Sequence, residues 1–138
     1  MLDLASGQVT QLPRSEGLYS PRWSPDGRYI LALSSDSNRM VLFDVAAQKW
    51  TDLVPHGNWF AWPTWLPDSK TVQYWEGEGD IRRVRIADGR IELVTNVNKL
   101  HIAQSVNGEW LGATPDGAPL VLLDAGTHDI YALDWEAP

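Results

Sequence analysis

Cysteine is absent from this 138-residue chain. That excludes a disulfide framework, thiol catalysis and a cysteine-rich zinc site. Basic residues are scarce: 11 Lys+Arg stand against 18 Asp+Glu, a net charge of −7. Such a balance offers no basic patch to displace counterions from phosphates, so nucleic acid is not an expected partner. No apolar run approaches the roughly 20 residues of a membrane-spanning helix. The first ten residues, MLDLASGQVT, lack the charged start and apolar stretch of a signal peptide. Also missing are GxSxG, GxxxxGK[ST] and GxGxxG, and with them a nucleophile elbow and a phosphate cradle. Tryptophan, by contrast, is abundant, with eight residues, and it is set among 11 Gly and 9 Pro. Bulky aromatics between frequent turns favour an all-β chain.

The strongest signal is internal repetition. Leu2–Leu12 aligns without gaps on Phe43–Leu53, an offset of 41, and a second step of 41 reaches Val84–Val94. A second marker, Trp23-Ser24-Pro25-Asp26-Gly27, recurs 42 residues later as Trp65-Leu66-Pro67-Asp68-Ser69. It recurs more weakly as Ala113-Thr114-Pro115-Asp116-Gly117, 48 residues further on. The last copy thus carries about six extra residues, most simply placed between Asn96 and Gly108. A period in the low forties is that of a β-propeller blade of four strands. HEAT and armadillo repeats share the period but require long segments of 3.6-residue periodicity, which this sequence lacks.

Each copy reads as four strands, a to d. Strand a, as in Tyr19–Trp23, runs into the Pro-Asp turn. Proline presets the backbone for the second position of a type I turn, aspartate suits the third, and glycine follows. Strand b, Tyr29–Leu33, and strand c, Met40–Phe43, are almost unbroken apolar runs, as expected of strands covered on both faces. Their equivalents in the last copy are Leu120–Leu123 and Ile130–Leu133. Strand d is mixed, in Gln8–Leu12, Lys49–Leu53 and Arg90–Val94, which fits a half-solvated outer edge. Tight hairpins are expected at Ala5-Ser6-Gly7, Ala46-Ala47-Gln48 and Ala87-Asp88-Gly89.

WSPDGRYI followed by a VLFDV-type strand resembles the TolB-like, WD40-like β-propeller repeat. The C-terminal stretch, Thr114-Pro115-Asp116-Gly117 to Leu133-Asp134-Trp135, is similar to the final blade of bacterial membrane proteins that join a winged-helix DNA-binding domain to an extracytoplasmic TolB-like propeller. The resemblance implies a sensing or scaffolding propeller without catalytic residues or cofactors, placed in the periplasm. The expected fold is an all-β partial propeller of about three four-stranded blades. Residues 1–12 supply the outer strands of a preceding incomplete blade, and 13–54 and 55–95 each make a blade. Residues 96–138 make a final blade without its outer strand. Three blades are fewer than the roughly four to eight that close a ring. Uncovered blade faces at both ends predict a protein partner or self-association. A contrasting reading is the accessory propeller of a prolyl-oligopeptidase-type peptidase, or a carbohydrate-binding or carbohydrate-cleaving propeller.

Candidate chemistry is sparse. His56, His101 and His128 stand far apart, outside any metal-ligand spacing. Glu76, Glu78 and Asp80 crowd a Gly-rich segment that could offer oxygen ligands to calcium, but the spacing is not that of an EF-hand, and a solvated hairpin tip is the better reading. Asp26, Asp36, Asp68 and Asp116 occupy turn positions that favour bonding to backbone N–H groups over acid catalysis. Trp23, Pro25, Asp26, Gly27, Trp65, Pro67, Asp68, Pro115, Asp116 and Gly117 are expected to be structural repeat positions. The run Trp59-Phe60-Ala61-Trp62-Pro63-Thr64-Trp65 is the least ordinary. Simple alternation puts Trp59 and Trp65 on one face and Phe60 and Trp62 on the other. Trp59, Phe60 and Trp62 are the candidate ligand-binding residues, placed at the mouth of a central channel where they would stack on a sugar or peptide.

Overall fold

The computed structural model describes residues 1–103 and 108–126. Ten strands follow in chain order: β1 (Leu18–Trp23), β2 (Tyr29–Ser34), β3 (Met40–Asp44), β4 (Lys49–Val54), β5 (Phe60–Trp65), β6 (Thr71–Glu76), β7 (Asp80–Arg85), β8 (Ile91–Asn96), β9 (Leu111–Ala113) and β10 (Pro119–Val121). They form two four-stranded antiparallel meanders, β1–β4 and β5–β8, and a two-stranded sheet, β9–β10. Among the described residues there is no helix. Neighbouring sheets meet through their first strands, β1 against β5 and β5 against β9. This is the radial arrangement of propeller blades, with β1, β5 and β9 innermost, and the fold is an all-β partial propeller.

The Pro-Asp turns carry the repeat. Gly27 donates its N–H to the Ser24 carbonyl at 2.9 Å, Ser69 to Leu66 at 3.1 Å, and Gly117 to Thr114 at 2.8 Å. The closing residue of each turn is left-handed, with φ of 71° at Gly27, 55° at Ser69 and 91° at Gly117. Asp26 accepts the Ser24 hydroxyl at 2.6 Å and the Arg28 N–H at 3.0 Å. Asp68 accepts the N–H groups of Lys70 and Thr71 at 2.8 and 3.0 Å. Asp36 holds Ser34 and Asn38 in the β2–β3 hairpin in the same manner. These carboxylates replace backbone acceptors that the turns would otherwise leave unmade.

Burial follows the reading of strands b and c. Four central residues of β2, four of β3 and four of β6 are buried in succession. Leu31, Leu33, Met40, Leu42, Leu53 and Val54 of the first blade meet Phe60, Trp65, Val72, Tyr74 and Val84 of the second. A second cluster, Trp75, Ile81, Val97 and Leu111, joins the second blade to β9. Cross-blade hydrogen bonds accompany the apolar contact: Trp65 Nε1 donates to the Arg22 carbonyl at 3.0 Å, and Asp26 N to Ser69 Oγ at 3.1 Å.

The chain departs from expectation at its margins. Gln8–Leu12 is not a strand; a single bridge, Leu2 to Val9, is all the ladder there is. With no third strand bonded to it among the described residues, a two-stranded hairpin has too few partners to hold a longer ladder. Leu120–Leu123 is shortened in the same way: β10 ends at Val121, and Leu123 makes an isolated bridge to Ile102. Ile130–Leu133 and His128 lie outside the described residues. Trp23 is 50% exposed although its repeat mate Trp65 is 9% exposed.

Candidate functional site

Strands β1 and β5 align residue for residue at an offset of 42, and both are bulged at the same place. Tyr19 pairs with Leu33 and Arg22 with Leu31, so Ser20 and Pro21 together oppose one residue. Ala61 pairs with Trp75 and Thr64 with Gln73, so Trp62 and Pro63 do likewise. Proline suits a bulge because it has no N–H to give the ladder. The residue before each proline is left-handed, with φ of 54° at Ser20 and 50° at Trp62. A second left-handed pair precedes each strand, Gly17 at 71° and Trp59 at 54°.

The bulge resets the faces. Phe60 and Trp65, assigned above to opposite faces, lie on the same one, packed into the core between the first two blades. Phe60 is therefore corrected from a ligand-facing residue to a core residue. It is fully buried, with its ring edge-on to Tyr74 at a centroid distance of 5.2 Å and 81°. The two-for-one count at Trp62-Pro63 inserts an extra residue, and alternation cannot be carried across it.

Trp59 and Trp62 flank a cleft of about 420 Å³ between the inner strands, shared with Tyr19, Ser20 and Arg22 and floored by Leu33 and Phe60. Trp59 is 46% and Tyr19 44% exposed. Trp62 is half-buried and leans on the second apolar cluster. The β2–β3 hairpin holds the rim. Tyr19 Oη and Ser37 Oγ are 2.5 Å apart, Phe60 N donates to the Ser37 carbonyl at 2.6 Å, and Trp59 N donates to Asn38 Oδ1 at 3.2 Å. Arg22 supplies the cation of the cleft and bonds the Pro21 carbonyl at 3.1 Å. The arrangement offers two indoles and a phenol as stacking surfaces, with one guanidinium beside them.

Left-handed backbone at non-glycine residues recurs along the chain, at Arg14, Ser20, Ser37, Gln48 and Ser69 as well as at these two tryptophans. A left-handed conformation costs a residue with a Cβ about 1–2 kcal/mol. Glycine fills the first such position in β1's approach and serine the second, whereas here both carry the largest side chain. Nearly half of Trp59 is nonetheless in solvent.

The remaining candidates are engaged elsewhere. In the Gly-rich tip, Arg82 pairs with Glu76 and Asp80, each at 2.7 Å. Asp80 also accepts Asn96 Nδ2 at 2.6 Å, and Glu76 accepts Asn58 N at 3.1 Å. No group of three or more His, Asp or Glu side chains poised for a metal occurs among the described residues. His56 and His101 are exposed. One polar feature escaped sequence reading. Gln73 is fully buried in β6, donating to the Gly112 carbonyl at 3.0 Å and accepting from Arg83 at 3.2 Å, while Arg83 reaches the Gly117 carbonyl at 2.6 Å. It ties the second blade to β9–β10. A polar residue where the preceding copy has Leu31 was the available signal.

Several carboxyls sit below their ordinary range. Asp80 is lowered by the Asn96 amide and then Arg82, Asp26 by the Ser24 hydroxyl, Asp36 by the Ser34 hydroxyl, and Asp88 by Arg85. A carboxyl lowered in the folded state stabilises above its unfolded value, and that contribution is lost as pH falls through the folded one. The urea midpoint is expected to stay level between about pH 7 and 5 and to drop below about pH 4. A midpoint unchanged down to about pH 2.5 contradicts this assignment.

No family model matches the sequence, and no curated protein does. Solved structures do match. TolB from Acinetobacter baumannii superposes with a TM-score of 0.54 at 22% identity, over 72% of this chain and 25% of that one. A protein assigned as TolB from Agrobacterium tumefaciens gives 0.61 at 21% identity, over 86% of this chain and 43% of that one. The dihydro-heme d1 dehydrogenase NirN, solved in complex with DHE, gives 0.59 at 19% identity, over 90% and 27%. This chain spans less than half the length of each.

Proposed function

We propose, from the premise that this chain is a partial TolB-like β-propeller, that it is a non-catalytic interaction module. Its contact site is the cleft framed by Tyr19, Trp59 and Trp62, and its ligand is an extended segment of another protein. The observation that carries the reading is a pair of tryptophans held in left-handed backbone at positions where the preceding blade has glycine and serine. Left-handed backbone at residues with a Cβ clusters at ligand clamps. A half-exposed indole, a half-buried one and a phenol are the anchors that protein interfaces favour, because they bury much area with few rotatable bonds. Arg22 adds a donor for a backbone carbonyl or a carboxylate on the ligand. The absence of catalysis is part of the proposal; its support is that Asp26, Asp36, Asp68 and Asp116 each hold a turn and that Glu76 and Asp80 are paired to Arg82.

The test replaces Trp59 by glycine. About 1–2 kcal/mol of strain is released, and about 2 kcal/mol of apolar contact from a half-buried indole is lost. Stability is expected to stay within about 1 kcal/mol of the parent, by urea titration. Binding to a peptide array is expected to fall at least about tenfold, the scale of an interface anchor. Soluble gluco- and chito-oligosaccharides, run beside the array, are expected not to bind. Oligosaccharide binding that Trp59→Gly removes would favour the carbohydrate reading. Peptide binding that Trp59→Gly leaves intact would move the site away from this cleft.

A further inference from the structure

The free polar side chains of the cleft at Trp59 and Trp62 can all donate a hydrogen bond, and the chain gives them nothing to donate to. Three other indoles are satisfied internally: Trp50 Nε1 donates to the Pro13 carbonyl at 2.8 Å, Trp65 Nε1 to Arg22 at 3.0 Å and Trp75 Nε1 to Gly77 at 3.1 Å. Among the described residues the indole N–H groups of Trp59 and Trp62 have no such acceptor, and the half-buried Ser20 hydroxyl of the same cleft has none either. The phenol of Tyr19 is already bonded to Ser37. Donors gathered in a half-enclosed cleft call for a ligand that accepts.

Charge points the same way. Arg28, Arg39, Arg82 and Arg85 each lie within 3.8 Å of a carboxylate oxygen, whereas Arg22 gives one N–H to the Pro21 carbonyl and makes no ion pair among the described residues. No Asp or Glu lines the cleft. A guanidinium covered by a neutral ligand loses hydration for a neutral acceptor, while a carboxylate offsets that loss with a charge-assisted pair. The chain carries −7, so its long-range field repels acidic ligands, and a preference for them has to be local to Arg22. The backbone decides which carboxylate. Capture of a chain terminus uses a nest of free backbone N–H groups, and those of Trp59 and Phe60 at the rim are already given to Asn38 and Ser37. A side-chain carboxylate needs only the side-chain donors.

We propose that the cleft selects an acidic segment: an Asp or Glu side chain of the extended ligand pairs with Arg22, with Ser20 as a further donor, while a neighbouring apolar or aromatic residue stacks on Trp59. This rests on the reading of the cleft as a protein-contact site and names the chemistry of its partner. Arg22 is then the residue that sets specificity, and the indoles supply affinity without choosing a charge. The repeat mate of Arg22 in β5 is the uncharged Thr64, so the cation belongs to this cleft and not to the repeat.

The test uses the full 138-residue chain on an array of peptides blocked at both ends. Each peptide is present with its acidic residues kept and with them changed to Asn or Gln, and the amide form is repeated with a free terminal carboxylate. Peptides whose binding Trp59→Gly removes are the ligands of the cleft. Among these the acidic form should bind at least about fivefold tighter than the amide form, a size between an exposed ion pair and a charge-assisted hydrogen bond. The free terminus should add nothing. Arg22→Gln should erase the difference while holding the amide form within about twofold of its parent affinity, and Arg22→Lys should keep part of it. Arg90→Gln removes another exposed cation without an ion pair among the described residues and should change nothing. Arg22 is exposed, and far-UV circular dichroism should report the same β signature for every variant. Ligands that need Trp59 yet bind equally in acidic and amide form overturn this inference and leave the contact reading standing, as does an acidic preference that survives Arg22→Gln. A preference conferred by the free terminus alone overturns the side-chain assignment. Binding that never depends on Trp59 overturns both readings.

Discussion

Phe60→Ala is expected to cost about 3–5 kcal/mol, enough to unfold much of a chain whose total stability is about 5–15 kcal/mol. The ring sits where the two complete blades meet, against Tyr74 and within the cluster that includes Leu33 and Val54. Its removal opens a hole that neither sheet can close, because both are pinned by their ladders and by the Ser37–Phe60 backbone bond at 2.6 Å. Gly57 has adapted to the same ring: a Cβ there would stand 1.9 Å from Phe60 Cζ. Phe60→Leu, which keeps most of the volume, should cost about 1 kcal/mol. Urea titration of the three proteins ranks them directly. If Phe60→Ala costs no more than about 1 kcal/mol, the inter-blade core is not where the stability resides.

Gln73→Leu is the second large effect, at about 2–4 kcal/mol. The substitution strands the Gly112 carbonyl and removes the acceptor for two Arg83 N–H groups inside the joint between the second blade and β9–β10. Buried groups that lose a partner cost more than the bond was worth, since water does not replace it. Arg83 keeps its bond to the Gly117 carbonyl, so the charge is not wholly abandoned. The double variant Gln73→Leu/Arg83→Leu should recover part of the loss, giving a coupling energy of about 1 kcal/mol or more in a double-mutant cycle. Additive losses would mean that the two residues act separately. Hydrogen exchange adds a local readout: amides of β9 and β10 should lose protection before those of β2 and β3.

Legibility in the sequence tracked the range of the interactions. The turn at Ser24–Gly27 and its mates needs only four consecutive residues, so Pro-Asp spacing revealed the three turns and the repeat that carries the two four-stranded sheets. Strands β2 and β3 were visible because burial on both faces demands an uninterrupted apolar run. The candidate cleft was half visible. Trp59 and Trp62 stood out as bulk without a counterpart, but Phe60 was misplaced because the bulge at Trp62-Pro63 is a property of pairing with β6. Gln73 and Arg83 carried no motif at all; their value comes from carbonyls 39 and 34 residues away.

The sequence by itself determined the repeat, the turn chemistry, the all-β class and the strands with covered faces, since each depends on neighbours close along the chain. Tertiary structure alone decided which tryptophans are in solvent, where alternation breaks, and how far the first and last strands extend. Those depend on which sheet lies alongside. Trp23 and Trp65 occupy the same repeat position with opposite burial, because among the described residues a blade packs in front of Trp65 alone.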